Sequence, residues 1–325
     1  MPRNVLVTGV SRRVGGVACR ALAEDPSVDK IIAIDAVPPL HGIGRARFVR
    51  ADIRNPIIGK IVNQEQIDTV VHLGVIMTPR QAGGRNQQKE INVIGTMQLL
   101  AACQKAESLR RIVVKSSSAI YGSSPQDPAM FTEDMSARRT PTGGFGRDSV
   151  EVETYVRGLA RRRPDIQLVM LRMANLVGAG VRTTFSEYFE QPVLPAPLGF
   201  DGRFQVLHLV DAVAAIKKAA LTDATGTINV AADGMLTVRQ AARLARKPVL
   251  PVLAQSGGLI QQLSDLLGAR GFDAEQMAFL QFGRGMDTSR MREVLGFEPT
   301  MTTREAFTDV FGAGELIPAL GGARG

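Results

Sequence analysis

The chain has 325 residues, 45% hydrophobic and 22% charged, a length and balance that suit a large buried core and exclude a disordered or collagen-like protein. The formal charge of +8 comes from dispersed clusters such as Arg12-Arg13, Arg110-Arg111, Arg138-Arg139 and Arg161-Arg162-Arg163. With no Trp and only three Tyr, the chain lacks the basic, aromatic-bearing face of a nucleic-acid binder. Solvated helix faces account for most of that charge, and an anionic small molecule is the partner class it leaves open.

Cys19 and Cys103 fall in apolar helical patterns and read as small core residues of a reducing compartment. His41, His72 and His208 show no metal-site spacing, so no metal is expected. The chain enters a strand at Asn4 without a leader pattern. No apolar run reaches the ~18 residues of a membrane span. These readings predict a cytoplasmic protein without a membrane-spanning segment.

In chain order, Val5-Leu6-Val7, Ile31–Ile34, Arg47-Phe48-Val49, Thr69-Val70-Val71, Ile112-Val113-Val114 and Leu168–Leu171 are short, nearly continuous apolar runs. Such runs mark strands buried on both faces of a parallel sheet. Helical patterns lie between them, at Val17–Ala23, Ile91–Gln104 and Val150–Arg162. The order predicts an α/β fold: a doubly wound parallel-sheet Rossmann domain over residues 1–174, followed by a smaller substrate-binding lobe over 175–325. The lobe starts in a loop-rich stretch with Pro192, Pro195 and Pro197, and the strand Thr227–Val230 is expected to rejoin the main sheet. The stripe Leu259, Ile260, Leu263, Leu266, Leu267 predicts a packed or lid helix. The tail Gly312–Gly325 is expected to be partly disordered.

The first strand runs into Gly9, Val10, Ser11, Arg12, Arg13, Val14, Gly15. Gly9 permits a tight turn off the strand, and Gly15 permits close helix–sheet packing, so that the helix N–H groups can face a pyrophosphate. Arg12 replaces the middle glycine. The second strand ends at Asp35, where an acid accepts hydrogen bonds from the adenosine ribose and repels a 2′-phosphate. NAD is therefore expected over NADP, although Arg12 and Arg13 pull the other way.

Further segments carry a resemblance. Ala51-Asp52-Ile53-Arg54, His72-Leu73-Gly74-Val75, Asn92-Val93-Ile94-Gly95-Thr96, Ser116-Ser117-Ser118-Ala119-Ile120-Tyr121-Gly122, Leu171-Arg172-Met173-Ala174-Asn175, His208-Leu209-Val210-Asp211 and Asp287 through Pro299 follow one another in the order of a known group. The chain resembles the extended or atypical short-chain dehydrogenase/reductases of the NAD-dependent epimerase/dehydratase family, most closely actinobacterial members described as UDP-glucose 4-epimerase-like. The resemblance implies that Asp52 and Ile53 lie by the adenine and that Leu73, Gly74 and Val75 lie under the cofactor. It also places Asn92 and Lys115 among the cofactor contacts. Ser117 inherits the hydrogen bond to a substrate alcohol, and Asn175 the contact to a nucleotide-sugar diphosphate. Arg182, Arg203 and Arg292 are candidate anion clamps. Where the family often has an arginine before the His-x-x-Asp stretch, this chain has Phe204.

The resemblance breaks at the acid–base pair. Family members use Tyr-x-x-x-Lys, in which the lysine lowers the tyrosine pKa toward neutrality. Here those positions hold Phe145 and Ser149. None of the eight lysines has a tyrosine four residues before it. Asp148, Glu133, Asp134, Tyr121 and His208 are possible substitutes, with Asp148 expected to face solvent and Tyr121 to pack structurally. Three functions remain open. The chain is an NAD-dependent epimerase, dehydratase or reductase of a nucleotide sugar or similar anion; or a catalytically impaired NAD-binding sensory or structural protein; or a protein whose NAD does non-redox chemistry. Family members often dimerise through helices matching Ile91–Gln104 and Val150–Arg162, so a homodimer is compatible with the sequence.

Overall fold

The computed structural model describes residues 3–253 and 274–312. The expected helix over Leu259–Leu267 and the tail from residue 313 lie outside the described residues. Seven parallel strands form the central sheet: β1 (Arg3–Thr8), β2 (Val28–Asp35), β3 (Arg47–Arg50), β4 (Thr69–His72), β5 (Arg111–Ser117), β6 (Gln167–Met173) and a last strand, Gly226–Val230. The order is last strand–β6–β5–β4–β1–β2–β3. The last strand pairs with β6 from Gly226↔Val169 to Val230↔Met173, so the chain does return to the sheet after its loop-rich stretch.

Successive side chains along each strand point to opposite faces, and both faces are covered. Val5, Val7, Val113, Val169 and Leu171 pack with α1 (Arg13–Ala23) and the helix Leu209–Leu221. Leu6, Ile32, Val70, Ile112 and Val114 pack on the other face, under α2 (Ile57–Gln64) and the helices Thr96–Gln104 and Gly144–Arg162. The direction of winding reverses between β1 and β4, which opens a crevice beyond the strands' carboxyl ends. A third core is aromatic: Phe185, Phe189, Phe204, Phe307 and Phe311 interlock with ring centroids 4.9–6.4 Å apart. Phe204 is thus a core residue, 1% exposed.

The helix expected over Val17–Ala23 begins at Arg13, and two others also differ from expectation. The pattern read as one helix over Ile91–Gln104 opens with a π-helical turn, Glu90–Gly95, before the α-helix Thr96–Gln104. The Asn92 side chain both accepts from Ile76 N (2.7 Å) and donates to Ile76 O (2.9 Å), tying the turn to the loop after β4. The helix expected from Val150 begins at Gly144. Val152, Val156 and Leu159 bury its apolar stripe, and Arg147–Glu151 (3.1 Å) and Arg157–Glu153 (2.8 Å) pair one turn apart along it. Its first turns therefore carry Phe145, Asp148 and Ser149 on rigid backbone.

Candidate active site

The turn between β1 and α1 is closed too tightly for any residue but glycine at its ends. A methyl carbon on Gly15 would lie 2.1 Å from Gly9 O, and one on Gly9 would lie 2.6 Å from Gly74 Cα. Gly9 also has φ +81°, a left-handed conformation natural only to glycine. Leu73, Gly74 and Val75 follow β4 immediately, with Leu73 N bonded to Thr8 O (3.3 Å). Asp35 ends β2 beside this turn. Its Oδ2 accepts from Ser11 N (3.0 Å) and Ser11 Oγ (2.7 Å), and its Oδ1 from Val37 N (3.3 Å). Asp52 and Ile53 follow β3 at the same edge: Ala51 N bonds Asp35 O (3.0 Å), and Arg54 holds the Asp52 carboxyl below its usual range through hydrogen bonds of 2.6–3.0 Å.

Two cations at this edge, Lys115 Nζ and the Arg12 guanidinium, have no hydrogen-bond partner among the described residues. Burial, then repulsion by Arg12, lowers Lys115 to about 8. Burial also pulls Arg12 below its usual range, against the attraction of Asp35. His72 hydrogen-bonds Thr8 Oγ1 (2.7 Å) and Thr96 Oγ1 (2.9 Å). Burial, aided by Lys115, lowers it to about 4, so it stays neutral at ordinary pH. Arg13 and Val14 open α1, and Arg13 turns away from Asp35 to bond Ala179 O (3.1 Å). The buried Lys115 and the half-buried Arg12 beside helix N–H groups, with a ribose-type acid at the next strand end, fit a dinucleotide diphosphate.

One consequence is a pH dependence. A bound diphosphate raises the Lys115 pKa, so affinity is full below about pH 8 and falls as pH rises through it. Lys115→Met is expected to remove that slope and weaken binding about 10- to 100-fold, the worth of a charge-assisted hydrogen bond. Calorimetric titration of dinucleotide across the pH range checks both; a flat wild-type profile would remove Lys115 from the site.

A cleft of about 1400 Å³ adjoins this edge. Ser117, Phe145, Asn175, Glu275 and Thr78 line it, together with Arg80, Arg85, Arg139 and Arg284. Ser117 Oγ accepts from Ala119 N (3.2 Å) and caps a short 3-10 turn. Two atoms of lining residues, Thr78 Oγ1 and Arg284 Nε, are buried without a hydrogen-bond partner, as suits a polar ligand. Of the four expected substrate contacts, Asn175 lines the cleft. The others are placed elsewhere: Arg292 Nη2 donates to both Asp233 carboxylate oxygens (2.6 and 2.7 Å), Arg182 is exposed, and Arg203 is exposed on a strand whose backbone bonds Arg284 N (2.8 Å). The cleft's own arginines come from scattered segments outside every motif, so the sequence held no signal for them.

The suggested acid–base substitutes are mostly occupied. Asp148 does not face solvent as expected: it is 0% exposed, and Arg85 grips both carboxylate oxygens at 2.6 Å. The first helical turn rotates it inward toward α-helical Arg85, which also bonds Gln88 Oε1 and Gly144 O (2.8 Å each). Ser149 Oγ donates back to Phe145 O (2.9 Å). Tyr121 is buried, stacks on Phe131 at 4.4 Å, donates to Asn229 Oδ1 (2.8 Å), and burial raises its pKa. Glu133 accepts from Asn229 N (2.7 Å), and His208 caps a helix and pairs with Asp309 (3.3 Å). Asp134 is exposed. Among the described residues no cluster of His, Cys, Asp or Glu could hold a metal, and no helix is long and apolar enough to cross a membrane.

The model of the NAD dependent epimerase/dehydratase family matches residues 5–231. The chain belongs to that family. An uncharacterized protein of Mycobacterium tuberculosis is 46% identical to this family member over 323 residues, covering 98% of this chain and 86% of its own. A UDP-glucose 4-epimerase of Oryza sativa is 30% identical over 194 residues, 54% of this chain and 45% of that one, so the match spans less than half of the rice enzyme. Among solved structures, the UDP-glucuronic acid 4-epimerase of Bacillus cereus, in complex with UDP-glucuronic acid and NAD, superposes with a TM-score of 0.72 at 18% identity, covering 95% of this chain and 98% of that one. MoeE5 in complex with UDP-glucuronic acid and NAD gives 0.71 at 21%, covering 95% and 97%. These likenesses place this member within the Rossmann-like fold of UDP-sugar epimerases and dehydratases.

Proposed function

We propose that the chain binds NAD across the carboxyl ends of β1, β2 and β4 and a nucleotide sugar or similar anion in the adjoining cleft, and oxidises that ligand reversibly, as an epimerase or dehydratase does. The observation that carries this reading is the gathering, at the carboxyl ends of the strands, of the glycine-closed turn, Asp35, Arg12 and Lys115 with Ser117, which ends β5 and lines a cleft together with Asn175 and four arginines. Bound there, NAD supplies a reversible hydride acceptor. Gly9, Gly15 and the start of α1 hold its diphosphate, assisted by Arg12, Arg13, Val14 and Lys115. Ser11 fixes Asp35 for the ribose, Asp52 and Ile53 flank the adenine, and Leu73, Gly74, Val75 and Asn92 shape the floor. Asp35, with Arg13 drawn away to Ala179, favours NAD over NADP. In the cleft, Ser117 orients the sugar hydroxyl and Asn175 the diphosphate. Assembly as a cytoplasmic homodimer, through the face carrying the exposed Ile94 and Tyr155, belongs to the same reading.

The test is to add UDP-glucose, UDP-galactose and UDP-glucuronic acid separately to NAD-loaded protein and follow nicotinamide absorbance and product sugars. Transient reduction or interconversion of the sugar is expected with at least one. A specific observation favours the second reading, a catalytically impaired NAD-binding protein: Phe145 lines the cleft and Ser149 is bonded within its own helix. Tight NAD binding without turnover of any nucleotide sugar would select it.

A further inference from the structure

Four arginines line the cleft, and three of them need no ligand. Arg80 and Arg139 are exposed to water. Arg85 is committed to Asp148, Gln88 and Gly144. Arg284 differs. Among the described residues, no hydrogen bond or ion pair engages its guanidinium. Nε is fully buried and orphaned, whereas the two Nη nitrogens, also without partners, are not shut away and keep access to the cleft. Burial lowers the Arg284 pKa to about 10, against the attraction of Glu275 and Asp127 acting through space, so the group is a full cation at neutral pH. Withdrawing a cation from water without a partner costs stability, and folds tolerate such a breach where function needs it. The backbone holds the group in place. Gly283 has φ +67°, and a methyl carbon there would lie 2.0 Å from Arg203 O. Arg284 N donates to Arg203 O (2.8 Å), Gly285 O accepts from Phe131 N (2.8 Å), and Met286 N donates to Gln205 Oε1 (2.8 Å). The Phe279 ring, itself 6.2 Å from that of Phe204 in the aromatic core, lies 4.9 Å from the guanidinium and supports one face of it.

We propose that Arg284 binds an oxyanion of the ligand in the cleft, its Nη groups donating to a phosphate or a carboxylate. The inference deepens the reading above and rests on it. A guanidinium presents paired N–H donors in a fixed plane, which matches the two-oxygen geometry of either group. A nucleotide sugar offers that chemistry in its diphosphate and, when the sugar is a uronic acid, in a carboxylate as well. The arginines expected from the sequence do not supply the contact: Arg292 is paired with Asp233, and Arg182 and Arg203 are exposed. Arg203 contributes instead the backbone carbonyl that seats Arg284. The platform of Gly283, Phe279 and Arg203 O fixes the cation before the ligand arrives, so little ordering is needed on binding.

The experiment is calorimetric titration of NAD-loaded wild type, Arg284→Met and Arg284→Lys with UDP, UDP-glucose and UDP-glucuronic acid. Arg284→Met keeps an unbranched side chain and removes the charge. It is expected to weaken binding on the order of 10- to 100-fold, the worth of a charge-assisted hydrogen bond. A loss shared by all three ligands assigns the contact to the diphosphate, and a loss confined to UDP-glucuronic acid assigns it to the carboxylate. Arg284→Lys should fall between. Affinity for NAD alone should stay within about threefold of wild type. Ligand-free Arg284→Met should unfold at or above the wild-type midpoint, because a stranded cation has been removed. Phenylglyoxal labelling of the wild type, mapped by mass spectrometry, reads the contact without any substitution: Arg284 should label in the ligand-free protein and be protected by the bound nucleotide, while exposed Arg20 labels in both. Arg284→Met affinities within about threefold of wild type for all three ligands, or Arg284 labelling unaffected by a bound nucleotide, overturn the inference and leave the functional reading standing. A loss with UDP-glucose but not with UDP would mark a contact to sugar hydroxyls and overturn it too. A wild-type protein that binds none of the three overturns the functional reading, and the inference with it.

Discussion

Replacing Arg172 by methionine is expected to destabilise the fold by about 3–5 kcal/mol, the usual cost of stranding one member of a buried ion pair. Arg172 and Glu153 are 2% and 3% exposed and meet in two parallel hydrogen bonds, Nε–Oε1 at 3.0 Å and Nη2–Oε2 at 2.8 Å. Ser116 Oγ completes the carboxylate (2.6 Å), while Arg172 Nη1 reaches Tyr121 Oη (2.8 Å) and Glu133 O (2.9 Å). Tyr121 passes the network to Asn229, whose Nδ2 bonds Phe131 O and Asp287 O (3.0 and 3.1 Å). One guanidinium thereby joins the helix bearing Phe145 to β5, β6, the last strand and, at Asp287, the segment after Arg284. The double variant Arg172→Met with Glu153→Leu should recover most of the loss, because an apolar pair removes the stranded charge. Urea denaturation checks this. A loss below about 1 kcal/mol for Arg172→Met would show that the network is not a determinant of stability.

Gly15→Ala is expected to weaken NAD binding on the order of 10²-fold. The added methyl carbon would stand 2.1 Å from Gly9 O, and backbone cannot move aside as a flexible side chain can. α1 must shift away from the sheet, which costs about 1–3 kcal/mol of packing and draws its N–H groups back from the diphosphate. The packing cost falls on the stability of the fold, while two weakened hydrogen bonds to a charged diphosphate, at about 1.5 kcal/mol each and about 1.4 kcal/mol per factor of ten, give the loss of affinity. Gly42→Ala is the matched control: a methyl there meets nothing within 4 Å, and NAD affinity should be unchanged. Calorimetry distinguishes the two. Equal affinities would mean that the glycine-closed turn does not carry the diphosphate.

Local physics made much of this readable in the sequence. Buried parallel strands must be apolar throughout, so Val5–Val7, Ile31–Ile34 and Ile112–Val114 announced themselves, and Gly9 and Asp35 fell at strand ends and Gly15 in the first turn of α1, where the fold needs them. What was hidden depends on contacts between distant segments. Asp148 looked like a solvent-facing acid because its partner, Arg85, is 63 residues away. The π-helical turn is tied by the Asn92 side chain to Ile76, which no periodicity reports. Phe204 read as a missing phosphate clamp and proves to be part of an aromatic core whose members span residues 185–311. The arginines and Glu275 of the cleft share no motif. They meet because separate loops and one late helix converge over the sheet's carboxyl edge.

The most direct measurement is calorimetric titration of the purified full chain with NAD and with NADP at neutral pH. The geometry of Gly9, Gly15, Lys115 and Asp35 predicts saturable binding of one NAD per chain, at least tenfold tighter than NADP. Absence of saturable binding to either dinucleotide, or tighter binding of NADP, would contradict it.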